Sequence, residues 1–180
     1  MPKEFHAHTL DVPAFAEAGA ELSGAATLGD FERLLAEAEG RGLDRPLGWS
    51  ARGEWRNPHH VQPEAWLHLK ADGVLPLTCQ RCLGPVDVPV AIDRAFRFVA
   101  DEATAEAEDD ASEEDLLVTS RAFDLPGLVE DEFLMALPLV PLHETCPEPV
   151  RLSAVDPGFE VESPQENPFA VLAGLKGRTS

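Results

Sequence analysis

The 180-residue chain has no tyrosine, only three cysteines, and 14 basic residues against 33 acidic ones. Each shortage removes a class of protein. An odd number of cysteines argues against a disulfide framework and suits a reducing compartment, where thiols stay free or hold a metal. A formal charge of −19 repels phosphate, so broad nucleic-acid binding is disfavoured and any RNA contact needs a local basic patch. No apolar run approaches the roughly 20 residues that span a bilayer, and the start, Met1-Pro-Lys-Glu-Phe-His6, lacks the basic-then-apolar layout of a signal peptide. There is no G-x-S-x-G elbow, glycine-rich phosphate loop or dinucleotide fingerprint, so an enzyme is not expected. The absences leave a cytoplasmic globular protein with no membrane segment, and 44% hydrophobic residues are enough for a core.

The three cysteines that are present fall in two pairs of metal-type ligands, Cys79-x-x-Cys82 and His143-x-x-Cys146. A two-residue gap lets a tight turn aim both side chains at one point, and two such turns complete the tetrahedron of a structural zinc site. Zinc is therefore the candidate cofactor. A redox dithiol is disfavoured, because its thiolate usually sits at a helix N-terminus and Cys82 runs instead into Leu83-Gly84-Pro85, a turn that closes a ligand knuckle. His6, His8, His59, His60 and His68 offer no ligand spacing. The nearest thing to a basic cluster is Arg81, Arg94 and Arg97 around the first ligand turn. It is a candidate RNA contact or simply a set of solvated strand ends.

Hydropathy patterning predicts an α+β domain over residues 1–150. Leu28, Phe31, Leu34, Leu35 and Ala38 repeat with a helical period up to Gly40 and Gly42. From Pro46 the period becomes two, with strands expected around 47–51, 65–71, 74–78, 86–92 and 95–99 and a hairpin turn at Asp72-Gly73. Pro76 and Pro89 place their strands at an edge or bulge. The expected sheet is an antiparallel, barrel-like meander with a few flanking helices. From Asp101 to Asp115 there are nine acidic residues and no basic one, a composition that predicts a disordered loop. Leu116–Phe123 is expected to return to the sheet. Asp124 then caps a helix of about three turns that ends at Pro138, with Leu125, Val129, Phe133, Ala136 and Leu137 on its apolar stripe. Glu130, Asp131 and Glu132 point in three directions on that helix and so form no catalytic pair. Residues 151–166 compose a linker rich in proline, serine and acids. Beyond it, 167–176 is a short docking segment whose Phe169, Leu172 and Leu175 either pack on their own domain or enter a partner's groove.

Three blocks carry a resemblance: Leu77-Thr-Cys-Gln-Arg-Cys82, Leu128-Val-Glu-Asp-Glu-Phe-Leu-Met-Ala-Leu-Pro-Leu-Val-Pro-Leu-His143 and Asn167-Pro-Phe-Ala-Val-Leu-Ala-Gly-Leu-Lys176. In order and spacing they resemble the YceD family, the large ribosomal RNA subunit accumulation proteins, over roughly residues 10–176. The resemblance implies a non-enzymatic bacterial cytoplasmic factor for synthesis, processing or stability of 23S ribosomal RNA, with ribosome-assembly components as partners. It supplies no catalytic residues. Members with extra cysteines after the proline-rich turn look like fuller zinc sites, and this chain departs from them in having only Cys146 after His143, so the alternative to zinc is a vestigial or thiol-only site. The alternative function is an acidic adaptor that holds a basic ribosomal protein or nuclease without touching RNA.

Overall fold

The computed structural model describes residues 4–56 and 63–147, which fall within one compact unit, Met1–Glu148. The expected linker at 151–166 and docking segment at 167–176 lie outside the described residues.

Asp11 accepts a hydrogen bond from the Ala14 amide at 3.2 Å and starts α1 (Val12–Glu17), with Pro13 in its first turn. Gly19, at φ 55°, stops it. β1 (Glu21–Thr27) follows. The periodic stretch from Leu28 is not one helix but a 3-10 turn over Leu28–Asp30, an extended Phe31, and then α2 (Glu32–Glu37). The Asp30 carboxylate accepts from the Thr27 amide at 2.7 Å, which tightens the first turn and offsets it from the second. Gly40 and Gly42 end the segment at φ 74° and 72°.

β2 (Pro46–Arg56), β3 (Glu64–Thr78) and β4 (Pro85–Val99) form the antiparallel body of the sheet. The expected hairpin at Asp72-Gly73 does not form. Gly73 sits inside β3, paired with Leu47 on one side and Val90 on the other, and the Leu47 side chain occupies the space a Cβ there would fill. Pairing on both sides satisfies the local backbone groups, which outweighs the turn preference of Asp-Gly. The turn lies instead at the cysteines, making a hairpin of two 15-residue strands, roughly 50 Å long at about 3.3 Å per residue. Pro76 pairs with Asp87 and lies beyond the reach of β2, and Pro89 pairs with Val74 and lies short of β5, so each sits where its strand has one neighbour, as expected.

Two further expectations are corrected. β5 (Asp115–Val118) runs parallel to β4, so the sheet is mixed, and its order β1-β2-β3-β4-β5 is open rather than closed into a barrel. A parallel neighbour requires a crossover of about a dozen residues, and the acidic segment supplies it. That segment is ordered as α3 (Glu102–Glu108) and a 3-10 turn, Asp109–Ala111. Asp101 caps α3 by accepting from the Thr104 amide at 2.8 Å. Arg97, with its side chain only 13% exposed, answers the acidic charge by reaching Glu108 at 2.8 Å and Glu114 at 3.0 Å. Composition alone missed this half-buried counterion.

α4 (Leu125–Ala136) begins after Asp124 as expected. The Asp124 carboxylate faces His8 at 3.3 Å instead of capping the helix. α4 buries Leu125, Leu128, Val129 and Phe133, and α1 adds Phe15, to a core shared with Leu47, Leu67, Leu69, Leu75 and Phe96 of the sheet. The α+β class stands.

Candidate metal centre

The turn between β3 and β4 is a knuckle. The Cys79 amide donates to the Gly84 carbonyl and the Leu83 amide to the Cys79 carbonyl, both at 2.9 Å. Leu83 takes the left-handed conformation, φ 60°, that closes it. After α4, the segment Pro138–Pro141 carries the chain back to this turn. The Gln80 amide donates to the Pro141 carbonyl at 2.9 Å, and the His143 amide to Cys79 Sγ at 3.4 Å. These links place the second ligand pair over the first. The ligand atoms of Cys79, Cys82, His143 and Cys146 all lie within 4.8 Å of one another. Cys79 is buried and the others are half-buried.

The donor set fits zinc. Tetrahedral Zn–S and Zn–N bonds of about 2.3 and 2.0 Å set ligand-to-ligand edges of roughly 3.5–3.8 Å, and Cys82 Sγ lies 3.4 Å from His143 Nδ1. His143 Nε2 is 2.9 Å from the Pro85 carbonyl. A carbonyl can only accept, so Nε2 carries the proton and Nδ1 presents its lone pair to the sulfurs. This is how metal-binding histidines are oriented by the groups behind them. Burial raises the Cys79 thiol, but the backbone N–H groups of Cys82, His143 and Arg81 overcome it and hold the thiol at about 5. Cys146 moves the other way, raised by burial and then by Cys82 and Cys79 beside it. One sulfur is thus prepared as a thiolate, the form that ligates metal. Four protein ligands close the shell, so a metal held here would tie two loops together structurally and leave no position for a substrate.

The sequence pattern that defines the YceD family, described as large ribosomal RNA subunit accumulation protein YceD, matches residues 67–176, more than half the chain and all four candidate ligands. The chain belongs to the YceD family. A YceD relative, the large ribosomal RNA subunit accumulation protein of Haemophilus influenzae, is 38% identical over 105 residues, covering 56% of this chain. The aligned part spans 59% of that YceD protein's own length. No solved structure matches.

The other sequence candidates fare differently. Arg81 is exposed on the knuckle, whereas Arg94 and Arg97 lie toward the far end of β4, roughly 30 and 40 Å away along the strand. The structure does not bring the three together. Arg94 pairs with Asp115 and lies 3.6 Å from Glu132, and Arg97 is enclosed by Glu64, Glu108 and Glu114. Phe169, Leu172 and Leu175 lie outside the described residues. The three adjacent carboxylates of α4 do diverge. Glu130 accepts from the Arg33 and Leu34 amides at 2.7 and 3.3 Å and so caps α2 from a distance. Asp131 pairs with the Arg33 side chain at 2.6 Å, and Glu132 is buried toward Arg94. No local signal reveals the Glu130 cap, because the residue at the start of α2 is Phe31, which has no side-chain oxygen to offer.

Proposed function

We propose that this protein is a non-catalytic cytoplasmic factor supporting accumulation of 23S ribosomal RNA during large-subunit assembly, with zinc pinning its ligand loop to the main hairpin. The carrying observation is that the YceD match spans both ligand turns. A relative named for large ribosomal RNA subunit accumulation supports the same reading. The test is deletion of the gene in its native host. The ratio of mature 23S to 16S RNA should fall, and should return on re-expression of the wild type but not of Cys79→Ser. An unchanged ratio defeats the reading.

A second reading has its own support. Arg33, Arg45, Arg56, Lys70, Arg94 and Arg97 each already face a carboxylate. An RNA phosphate would have to displace those partners in a chain of net charge −19. This favours an adaptor that holds a basic ribosomal protein or nuclease. Ultraviolet crosslinking in cells separates the two: recovered 23S fragments favour direct contact, and basic proteins recovered without RNA favour the adaptor.

A further inference from the structure

A groove of about 540 Å³ lies beside the metal centre, where α2, α4 and the end of β3 converge. Leu77, Leu134, Leu137, Pro138, Leu139 and Pro141 form its apolar lining. Leu139 is 100% exposed and the adjoining Val140 58%. These side chains stand on a segment bounded by two prolines and tied to the knuckle through Gln80, so little conformational freedom remains to be lost on binding.

The charge around the groove is net negative, with Glu37 and Glu39 set against Arg41. Both α2 and α4 end here, and neither has a basic residue in its last turn. In α2 the last turn is closed by hydrogen bonds from the Ala38, Glu39 and Gly40 amides to the Leu34, Ala36 and Leu35 carbonyls, so the helix ends add only weak partial negative charge. Glu37 and Glu39 complete the rim, and no lysine or arginine lines the groove. Arg41 pairs with Glu39 at 3.3 Å. Glu37 has no ion pair among the described residues and closes the C-terminal turn of α2, where a like-signed dipole makes it unfavourable in isolation.

We propose that this groove is the docking site for an amphipathic, Lys/Arg-bearing segment of a protein partner. Leucine-type side chains of that segment would cover Leu139 and Leu137, while its cations would meet Glu37. The apolar contact supplies affinity and the charge selects the sign of the partner. The surface contains no metal ligand and needs no RNA contact, so it stands whichever reading of the function holds.

The test uses the full chain with the photoreactive amino acid p-benzoylphenylalanine at position 139, expressed in the native host, and mass spectrometry to locate the crosslink. The expected product joins position 139 to a partner-protein peptide in which basic and apolar residues alternate at helical spacing. Adding Glu37→Lys should lower its yield at least tenfold. Position 139 is fully exposed, so folding should be unaffected, and an unchanged thermal melt verifies this for both proteins. Crosslinks confined to residues 148–180 of the same chain, to a second copy, to RNA or to an acidic segment would overturn the proposal. So would a yield indifferent to Glu37→Lys, or no crosslink at all. Loss of 23S crosslinks elsewhere on the chain would bear on RNA contact and leave this result untouched.

Discussion

The two ends of the long β3–β4 hairpin are held in different chemical currencies. At the turn, the segment after α4 returns to the knuckle through three sulfurs and an imidazole whose donor atoms lie within 4.8 Å of one another. At the open end, the crossover to β5 folds back through carboxylates gathered on Arg97. Soft ligands converging on one point give a tie that metal binding can make very strong and that is lost when one ligand is removed. Carboxylates on a guanidinium near the surface are worth little singly, and more only where the charge is largely buried. The first end should therefore fail sharply, and the second gradually.

The largest effect is expected at the knuckle. Freshly purified, reductant-protected protein should carry about one zinc per chain by elemental analysis, as a closed four-ligand site implies. Cys79→Ser should abolish the zinc and lower the melting temperature by roughly 10 °C, given the large coupling between structural metal sites and folding. Absence of zinc from the wild type would make this end an ordinary loop contact and remove the contrast.

A smaller effect is expected at the open end. Arg97→Ala should cost about 1–3 kcal/mol in chemical denaturation, because it leaves Glu64, Glu108 and Glu114 without their shared cation. Amide exchange should rise across residues 101–118 and not at the knuckle. Deleting Glu102–Glu114 should cost at least as much, since it removes the crossover on which parallel pairing of β5 depends. A silent deletion would show that the segment contributes nothing to the fold.

Two carboxylates sharpen the comparison through pH, with opposite signs. Burial raises Glu132 above its ordinary 4.5, against the pull of Arg94 and with help from Asp131. A raised acid binds protons more readily in the folded state, so its favourable contribution is greatest in acid and is lost as pH climbs from 4.5 through the folded value. Glu132→Gln should flatten that decline, leaving the urea midpoint at pH 7 equal to the wild type or higher by about a few tenths molar. A clear drop at pH 7 would mean that the contact with Arg94 outweighs burial.

Glu54 is the reverse and the smallest case. A hydrogen bond from Arg56, with His68 helping and burial opposing, holds it at about 2 against an ordinary 4.5. Its contribution is present above pH 4.5 and disappears as pH falls toward 2. Glu54→Gln should lower the neutral-pH midpoint slightly and reduce the loss of stability across that window by the same amount, both small because the side chain is 31% exposed. An acid limb identical to the wild type would show that other carboxylates govern it.

The amino-acid sequence by itself determined those features whose cause is local. Cys79-x-x-Cys82 and His143-x-x-Cys146 announced two ligand turns, because a two-residue gap leaves few other geometries. Asp124 and Pro138 bounded α4, and Pro76 and Pro89 marked single-neighbour strand positions. α1, bounded by Asp11, Pro13 and Gly19, was not among the sequence expectations although its cause is as local. Tertiary structure alone decided the rest. Asp72-Gly73 became mid-strand because β2 and β4 claimed its backbone from both sides. The acidic segment became ordered because Arg97 and the parallel β5 lie next to it in space. Glu130 became the cap of a helix almost a hundred residues earlier in the chain. The physical reason is common to all three. Turn propensities, charge repulsion and missing caps are each worth about 1 kcal/mol, and a paired backbone group or counterion brought from a distance is worth as much or more. A single residue's neighbours in sequence carry no trace of such a partner.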